Sequence, residues 1–196
     1  MSTDGGRPAV FLDRDGVVIE EAGLLVDAAR IRIAPGVPAA LARLGNAGFE
    51  LVVVTNQTVV ARGLTSEEGV AEIHRAVAER LAAEGGAVVS GFYVCPHHPS
   101  ADVAAYRLAC ECRKPRPGLI LRAAEELRLD LRSSFMVGDR ITDIAAGARA
   151  GCRTVLIRAG GYLEPPIETL EPLEPDIRAD HVCDDVPAAV DWILAA

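Results

Sequence analysis

The sequence predicts an α/β protein: a doubly wound, Rossmann-like domain on a mostly parallel sheet. Three observations carry this reading. Short apolar, β-branched runs recur along the chain, most are followed by a segment of about ten residues or more with helical periodicity, and several stop abruptly on polar residues. Strands separated by helices need crossover connections, which make neighbouring strands parallel and cover both faces of the sheet. The chain, 196 residues long, can bury one proper core. Its 50% hydrophobic against 24% charged residues describes a globular chain, and with aromatics at 4% that core must be built from Val, Leu, Ile and Ala.

The first strand is Ala9-Val10-Phe11-Leu12, unbroken and apolar, ending on Asp13 and Asp15 with Gly16 to turn the chain. Residues 20–33 have no helical period and read as a loop or small hairpin over that strand end. Pro38 suits the first turn of a helix running to Ala47, closed by Gly48. Glu50 to Val54 is a second buried strand, ending on Thr55, Asn56 and Gln57. Thr65-Ser66-Glu67-Glu68 has capping-box spacing and opens a helix to Glu84, stopped by Gly85-Gly86. Val88 to Val94 is a third strand. Leu119 to Leu129 is helical, Phe135 to Val137 is a strand stopping at Gly138-Asp139, and Ile141 to Ala150 is a helix ended by Gly151. Thr154 to Ile157 is a fifth strand, His181-Val182-Cys183 a short edge strand, and Val186 to Leu194 the last helix. The loosest stretch is the Pro- and Glu-rich segment 164–175.

The totals exclude some classes of function. A formal charge of −8 argues against a general nucleic-acid or membrane-surface binder, which would need a basic field. Residues 1–8 lack the pattern of a signal peptide and no apolar run is long enough to span a bilayer, so the expectation is a cytoplasmic protein. Five cysteines, an odd number, fit metal binding or burial better than a disulfide framework there.

In a parallel sheet, Asp13, Asp15, Thr55 and Asp139 gather at one rim, and Lys114 is the basic residue placed to join them. An ionised Asp is a nucleophile at neutral pH without a base, but its attack on a phosphate anion is opposed by charge. Mg²⁺ held by Asp13 and Asp139 removes that repulsion, since hard oxygen ligands suit it. Lys114 adds a second positive charge, and the Thr55 hydroxyl and the amides after it can donate to the phosphoryl oxygens. Asp15 is placed to protonate the leaving oxygen and then to take a proton from water, while its main-chain carbonyl serves as a further metal ligand.

These motifs are Asp13-Arg14-Asp15-Gly16-Val17, Thr55-Asn56-Gln57, Lys114-Pro115-Arg116-Pro117-Gly118, and Gly138-Asp139 with Asp143. In order and strand context they resemble the four motifs of the haloacid dehalogenase superfamily, on its phosphatase branch. The resemblance implies an aspartyl-phosphate on Asp13, acid/base work by Asp15, supporting roles for Thr55 and Lys114, and Mg²⁺ bound by Asp13, the Asp15 carbonyl and Asp139. For Asp143 a helix-surface or supporting role is expected rather than direct ligation. The intervals between motifs leave no room for an independent cap domain, so a capless fold with an open site is expected. A dehalogenase is disfavoured, because that chemistry has no use for Mg²⁺ or for an acid at Asp15.

Cys95-x-His97 and Cys110-x-Cys112 offer three thiolates and an imidazole, enough for a closed tetrahedral zinc site. Buried thiols are the plainer alternative, and His98 is the alternative imidazole. Cys152 and Cys183 lack partners, and His74 and His181 read as structural or solvated.

Together with the first two motifs, the segment from Cys95-Pro96-His97-His98-Pro99 to Cys110-x-Cys112-Arg113-Lys114 is similar to a narrower family, the D-glycero-D-manno-heptose 1,7-bisphosphate 7-phosphatases, relatives of the histidinol-phosphate phosphatases. The resemblance implies hydrolysis of the C7 phosphate of the sugar bisphosphate, with histidinol phosphate or another small phosphomonoester as the alternative substrate. It also implies a structural zinc loop and substrate contacts from Arg113 and Arg140; Asn56 and Gln57 are expected to bind substrate beside them, and the chain length predicts a single domain over 1–196 with the loop 95–112 inserted. Arg116 divides evenly between substrate contact and a solvated role. The expected partner is a small phosphorylated sugar, with no nucleic acid or membrane, and the expected state is a monomer. Glu21-Ala22-Gly23-Leu24 and Thr58-Val59-Val60 depart from the family's pattern where substrate would be read. From another class, an idle zinc-stabilised scaffold would explain the cysteines but not the intact Asp13, Asp15, Thr55, Lys114 and Asp139 set.

Overall fold

In the computed structural model, which describes residues 6–158, 173–174 and 176–196, one six-stranded sheet organises the chain. The strands are β1 (Ala9–Leu12), β2 (Glu50–Asn56), β3 (Gly91–Cys95), β4 (Phe135–Gly138), β5 (Arg153–Ile157) and β6 (His181–Cys183). Their order is β3-β2-β1-β4-β5-β6 and every pairing is parallel. This is the doubly wound arrangement, in which the direction of winding reverses beside the first strand and opens a crevice at the carboxyl ends.

The helices are α1 (Val37–Asn46), α2 (Thr58–Ala61), α3 (Glu67–Gly85), α4 (Gly118–Leu127), α5 (Ile141–Ala150) and α6 (Val186–Ala195). Strand alternation divides the core between the two faces. Val10 and Leu12 of β1 join the cluster built with α1, α3 and α6, whereas Ala9 and Phe11 join the one built with α4 and α5. All four β1 side chains are fully buried, so the strand reads as one unbroken apolar run.

Most expected boundaries hold within a residue or two. Ser66, not Thr65, caps α3, accepting a hydrogen bond from the Gly69 amide at 3.2 Å, and Gly86 closes the helix in the left-handed conformation. Two expectations move further. β2 runs on through Thr55 and Asn56, and β3 starts three residues later than expected because Val88 is exposed at 74%. α2 has no counterpart in the sequence reading. Residues 20–33 carry a 3-10 turn at Ala28–Arg30, and Ile33 bridges antiparallel to Ile19, so the small hairpin is realised in outline. The 164–175 stretch falls almost wholly outside the described residues. No helix among the described residues is long and apolar enough to cross a membrane.

Candidate active site

Asp13 extends the β1 ladder, donating its amide to the Val137 carbonyl at 3.0 Å. Its Oδ1 accepts from the Arg14 amide at 2.8 Å and lies 2.9 Å from Lys114 Nζ. Asp139 follows β4, and Asp143 sits in the first turn of α5, where its Oδ2 accepts from the Arg140 amide at 3.0 Å and caps the helix. One carboxylate oxygen from each of Asp13, Asp139 and Asp143 lies within 4.8 Å of the others. Lys114 Nζ, buried beneath them, spends its three donors on Asp13 Oδ1, on Asp143 Oδ1 at 2.6 Å and on the Val54 carbonyl at 2.9 Å.

Three carboxylates against one buried ammonium, with only the half-exposed Arg140 guanidinium 3.9 Å from Asp139 Oδ1 beside them, leave the cluster short of positive charge. Burial opposes the charge on Lys114, but Asp13 and Asp143 outweigh it and hold the ammonium above its ordinary range. Burial, then repulsion from Asp13 and Asp143, pushes Asp139 up to about 7. Asp143 rises to about 6, chiefly through burial, with Lys114 pulling the other way. Asp139 Oδ1 is buried without a hydrogen-bond partner among the described residues. The Asp15 main-chain carbonyl, next along from Arg14, likewise receives no hydrogen bond there. An orphaned carboxylate oxygen, a neighbouring carboxylate and a bare carbonyl are the hard oxygen set that Mg²⁺ takes, so these residues fit the ion. Asp143, at 1% exposure, is not a helix-surface group, which corrects that half of the expectation. Both of its oxygens are committed, to Lys114 and to the Arg140 amide.

The second group is centred on Asp15. Arg14, itself 1% exposed, sends Nη2 to both Asp15 oxygens at 3.0 and 2.9 Å and to Gln57 Oε1 at 2.8 Å. Gln57 Nε2 donates to Asp15 Oδ2 at 2.8 Å and to Thr55 Oγ1 at 2.9 Å, leaving the Thr55 proton free to donate outward. The Gln57 main-chain amide, however, donates to the Cys95 carbonyl at 2.8 Å. It is therefore not one of the amides after Thr55 that can face a phosphoryl group. The Asn56 amide bridges the Lys114 backbone in both directions at 3.2 Å. Asn56 and Gln57 thus reach the site with their side-chain amides already engaged by protein.

A cavity of about 420 Å³ opens over these residues. Asp13, Asp15, Thr55, Lys114 and Asp143 line its floor, and Arg113, Arg140, Arg62 and His98 its wall. Arg113 is steadied by the His97 carbonyl at 3.2 Å, and Arg140 lies 3.5 Å from Glu21. Arg116 instead binds the Cys110 carbonyl at 3.2 Å and Glu111 at 2.8 Å, bracing the cysteine loop. Sequence reasoning missed Arg62 because it caps α2, the unforeseen helix. Arg14 was also missed, although a charge between two aspartates at the end of a buried strand has to find acceptors inside.

Cys95, His97, Cys110 and Cys112 converge beside this wall. Sγ of Cys110 lies 3.5 Å from Cys95 and 3.1 Å from Cys112, and His97 Nδ1 lies 3.4 Å from Cys112. A hydrogen bond from Cys95 holds the Cys112 thiol well below its ordinary range, while that bond and burial push Cys95 up. Three sulfurs and one imidazole nitrogen mutually within 4.8 Å fit a closed tetrahedral zinc site. His98 is engaged elsewhere, its Nδ1 accepting from the Ser100 amide at 3.2 Å.

The doubly wound sheet and the carboxylate cluster at its switch point define a phosphoric monoester hydrolase of the haloacid dehalogenase superfamily. The HAD-hydrolase-like family model matches residues 111–189. D-glycero-beta-D-manno-heptose-1,7-bisphosphate 7-phosphatase from Yersinia pestis is 43% identical over 154 residues, covering 78% of this chain and 81% of that protein. The enzyme of the same name from Escherichia coli K12 is 39% identical over 162 residues, covering 82% and 84%. Among solved structures, D,D-heptose 1,7-bisphosphate phosphatase from B. bronchiseptica, complexed with magnesium and phosphate, superposes with a TM-score of 0.78 at 33% identity, covering 96% of this chain and 98% of that one. The chain belongs to the D-glycero-beta-D-manno-heptose-1,7-bisphosphate 7-phosphatase family.

Proposed function

We propose that the chain removes the C7 phosphate of D-glycero-D-manno-heptose 1,7-bisphosphate through a covalent intermediate on Asp13. The observation that carries this reading is the Asp13, Asp139 and Asp143 cluster around buried Lys114, with one Asp139 oxygen left unsatisfied. Asp13 Oδ1 is held by the Arg14 amide and by Lys114, which leaves Oδ2 to attack phosphorus. The ester bond to the sugar oxygen breaks as the new P–O bond forms, and Asp15 gives its proton to the departing oxygen. Water then attacks the same phosphorus, the bond to Asp13 breaks, and Asp15 takes the water's proton. The Thr55 hydroxyl donates to the phosphoryl oxygens, where charge accumulates in the transition state, while Lys114, its three donors held by Asp13, Asp143 and Val54, fixes Asp13 and offsets the negative charge beside it. Asp13, the Asp15 carbonyl and Asp139 would hold Mg²⁺, which when bound neutralises the phosphoryl charge and orients it.

Arg113 and Arg140 on the wall, joined by Arg62, suit the remaining phosphate and the hydroxyls of a bisphosphorylated sugar, since guanidinium groups hold phosphate bidentately. Cys95, His97, Cys110 and Cys112 hold Zn²⁺ in a structural role that shapes this wall. The reading is of a single cytoplasmic domain over 1–196, monomeric, with loop 95–112 inserted.

The test is phosphate release by purified protein from a panel holding the heptose bisphosphate, its 7-phosphate, histidinol phosphate and common hexose phosphates. The heptose bisphosphate should lead kcat/KM by at least about tenfold, the discrimination that a lost charged contact produces. A lead by histidinol phosphate overturns the substrate. Asp13→Asn should abolish turnover on every ester, and a variant that still releases phosphate overturns the nucleophile.

A further inference from the structure

Five side chains of α3 are buried: Val70, Ile73, His74, Val77 and Leu81. Four are apolar, as expected for the inner stripe of an amphipathic helix, and one is an imidazole. His74 is 5% exposed and stacks on Phe92 with ring centroids 4.6 Å apart and planes at 15°. Its Nε2 lies 3.3 Å from Arg14 Nη1. Since a guanidinium can only donate, Nε2 is the acceptor and the ring proton sits on Nδ1. Burial, reinforced by Arg14, drives the imidazole's pKa down to about 3, so the ring stays neutral and able to accept.

Arg14 has few other holds. Nε is buried without a hydrogen-bond partner among the described residues, and Nη2 carries the contacts to Asp15 and Gln57. Without the contact at Nη1, the guanidinium would have no hydrogen bond on the side away from the site to fix its angle.

We propose that His74 is a positioning residue for Asp15: by accepting from Arg14 Nη1 it fixes the guanidinium, and the guanidinium holds the Asp15 carboxyl group where, in its protonated form, it can give its proton to the departing oxygen. The relay runs from a helix on one face of the sheet, through a buried arginine, to the acid of the reaction. It rests on the reading of Asp15 as the proton donor.

Leaving-group dependence separates this role from a merely structural one. Proton donation matters for a sugar alkoxide and hardly at all for p-nitrophenolate, which leaves without a proton. kcat/KM reports steps only up to ester cleavage, so the later water step does not blur the comparison. His74→Leu should lower kcat/KM for the heptose bisphosphate by about 10–100-fold, within the range known for general acid catalysis. For p-nitrophenyl phosphate the same variant should lose less than about threefold, and His74→Gln, which restores an acceptor, should recover most of the loss. Asp15→Asn is the control and should show the same asymmetry in stronger form.

Equal losses on both esters, or no loss on either, overturn the relay. If Asp15→Asn itself shows no asymmetry, the proton-donor reading fails. If it does and His74→Leu does not, the relay alone fails. Should His74→Leu not fold, as judged by circular dichroism, His74→Asn takes its place, being polar but too short to reach Arg14, with the same asymmetry expected.

Discussion

Asp139 sets a pH dependence that belongs to a single carboxyl group. Its pKa is pushed up to about 7 in the folded chain, well above the ordinary carboxylate range, because it is buried beside two other carboxylates. Between the two the folded state binds the proton more tightly than the unfolded chain does. In the metal-free protein this contribution of Asp139 to stability is fully present below about pH 4 and is lost as pH rises through about 7. Asp139→Asn removes the penalty. In chelator, urea melts should show the variant more stable than the parent at pH 8, by at most about 4 kcal/mol, and equal to it at pH 4. Saturating Mg²⁺ should reverse the order at pH 8. Gly16 guards the same carboxylate: at φ +77° it sits where an added Cβ would lie 2.3 Å from Asp139 Oδ2. Gly16→Ala should lower phosphatase activity by about tenfold or more, read from phosphate release at saturating Mg²⁺, through both backbone strain and displacement of Asp139. At this scale Asp13, Asp15, Thr55 and Asp139 are legible in the sequence because each follows an apolar run, and Lys114 because it opens the Pro-Arg-Pro-Gly turn that leads into α4. Asp143 was half legible, its spacing recognised but its burial not, since a helix position does not reveal which face is covered.

At the scale of elements, the cysteine loop stiffens the wall of the pocket. Arg113 leans on the His97 carbonyl and Arg116 on Cys110, so the loop and the motif carrying Lys114 move together. The Gly118 amide also donates to Glu111, 3.1 Å away. On the proposed zinc site, Cys112→Ser should abolish zinc binding, measured by elemental analysis, and cost about 2–4 kcal/mol of stability, or about 5–15 °C in Tm. Activity should fall with it, since Lys114 follows Cys112 by two residues. The helices and strands were largely readable from periodicity and their Gly and Pro punctuation. α2 was not, because four residues give no period, and Arg62 was lost with it.

For the molecule as a whole, strand order matters most. β1 is hydrogen-bonded on both sides, to β2 and β4, and its side chains fill the clusters on both faces of the sheet. Asp13 is anchored to that strand and cannot fray by itself. Loss of activity in urea should therefore coincide with loss of far-UV circular dichroism in the metal-loaded protein, and activity lost at clearly lower urea would contradict this. The parallel order could be anticipated from alternating strands and helices, but the position of β1 at the centre could not, because local pattern does not say which strands become neighbours.

The cavity takes Glu21, Gly23 and Leu24 from the loop after β1 and Thr58, Val59 and Arg62 from α2 and its C-cap, while Asp13, Asp143 and Lys114 belong to the packed interior. Recognition and reaction are thus written on separate parts of the chain. Exchanging those two short segments could redirect the protein toward a different ester while leaving the chemistry beneath them intact, and no second domain would have to be grafted to do it.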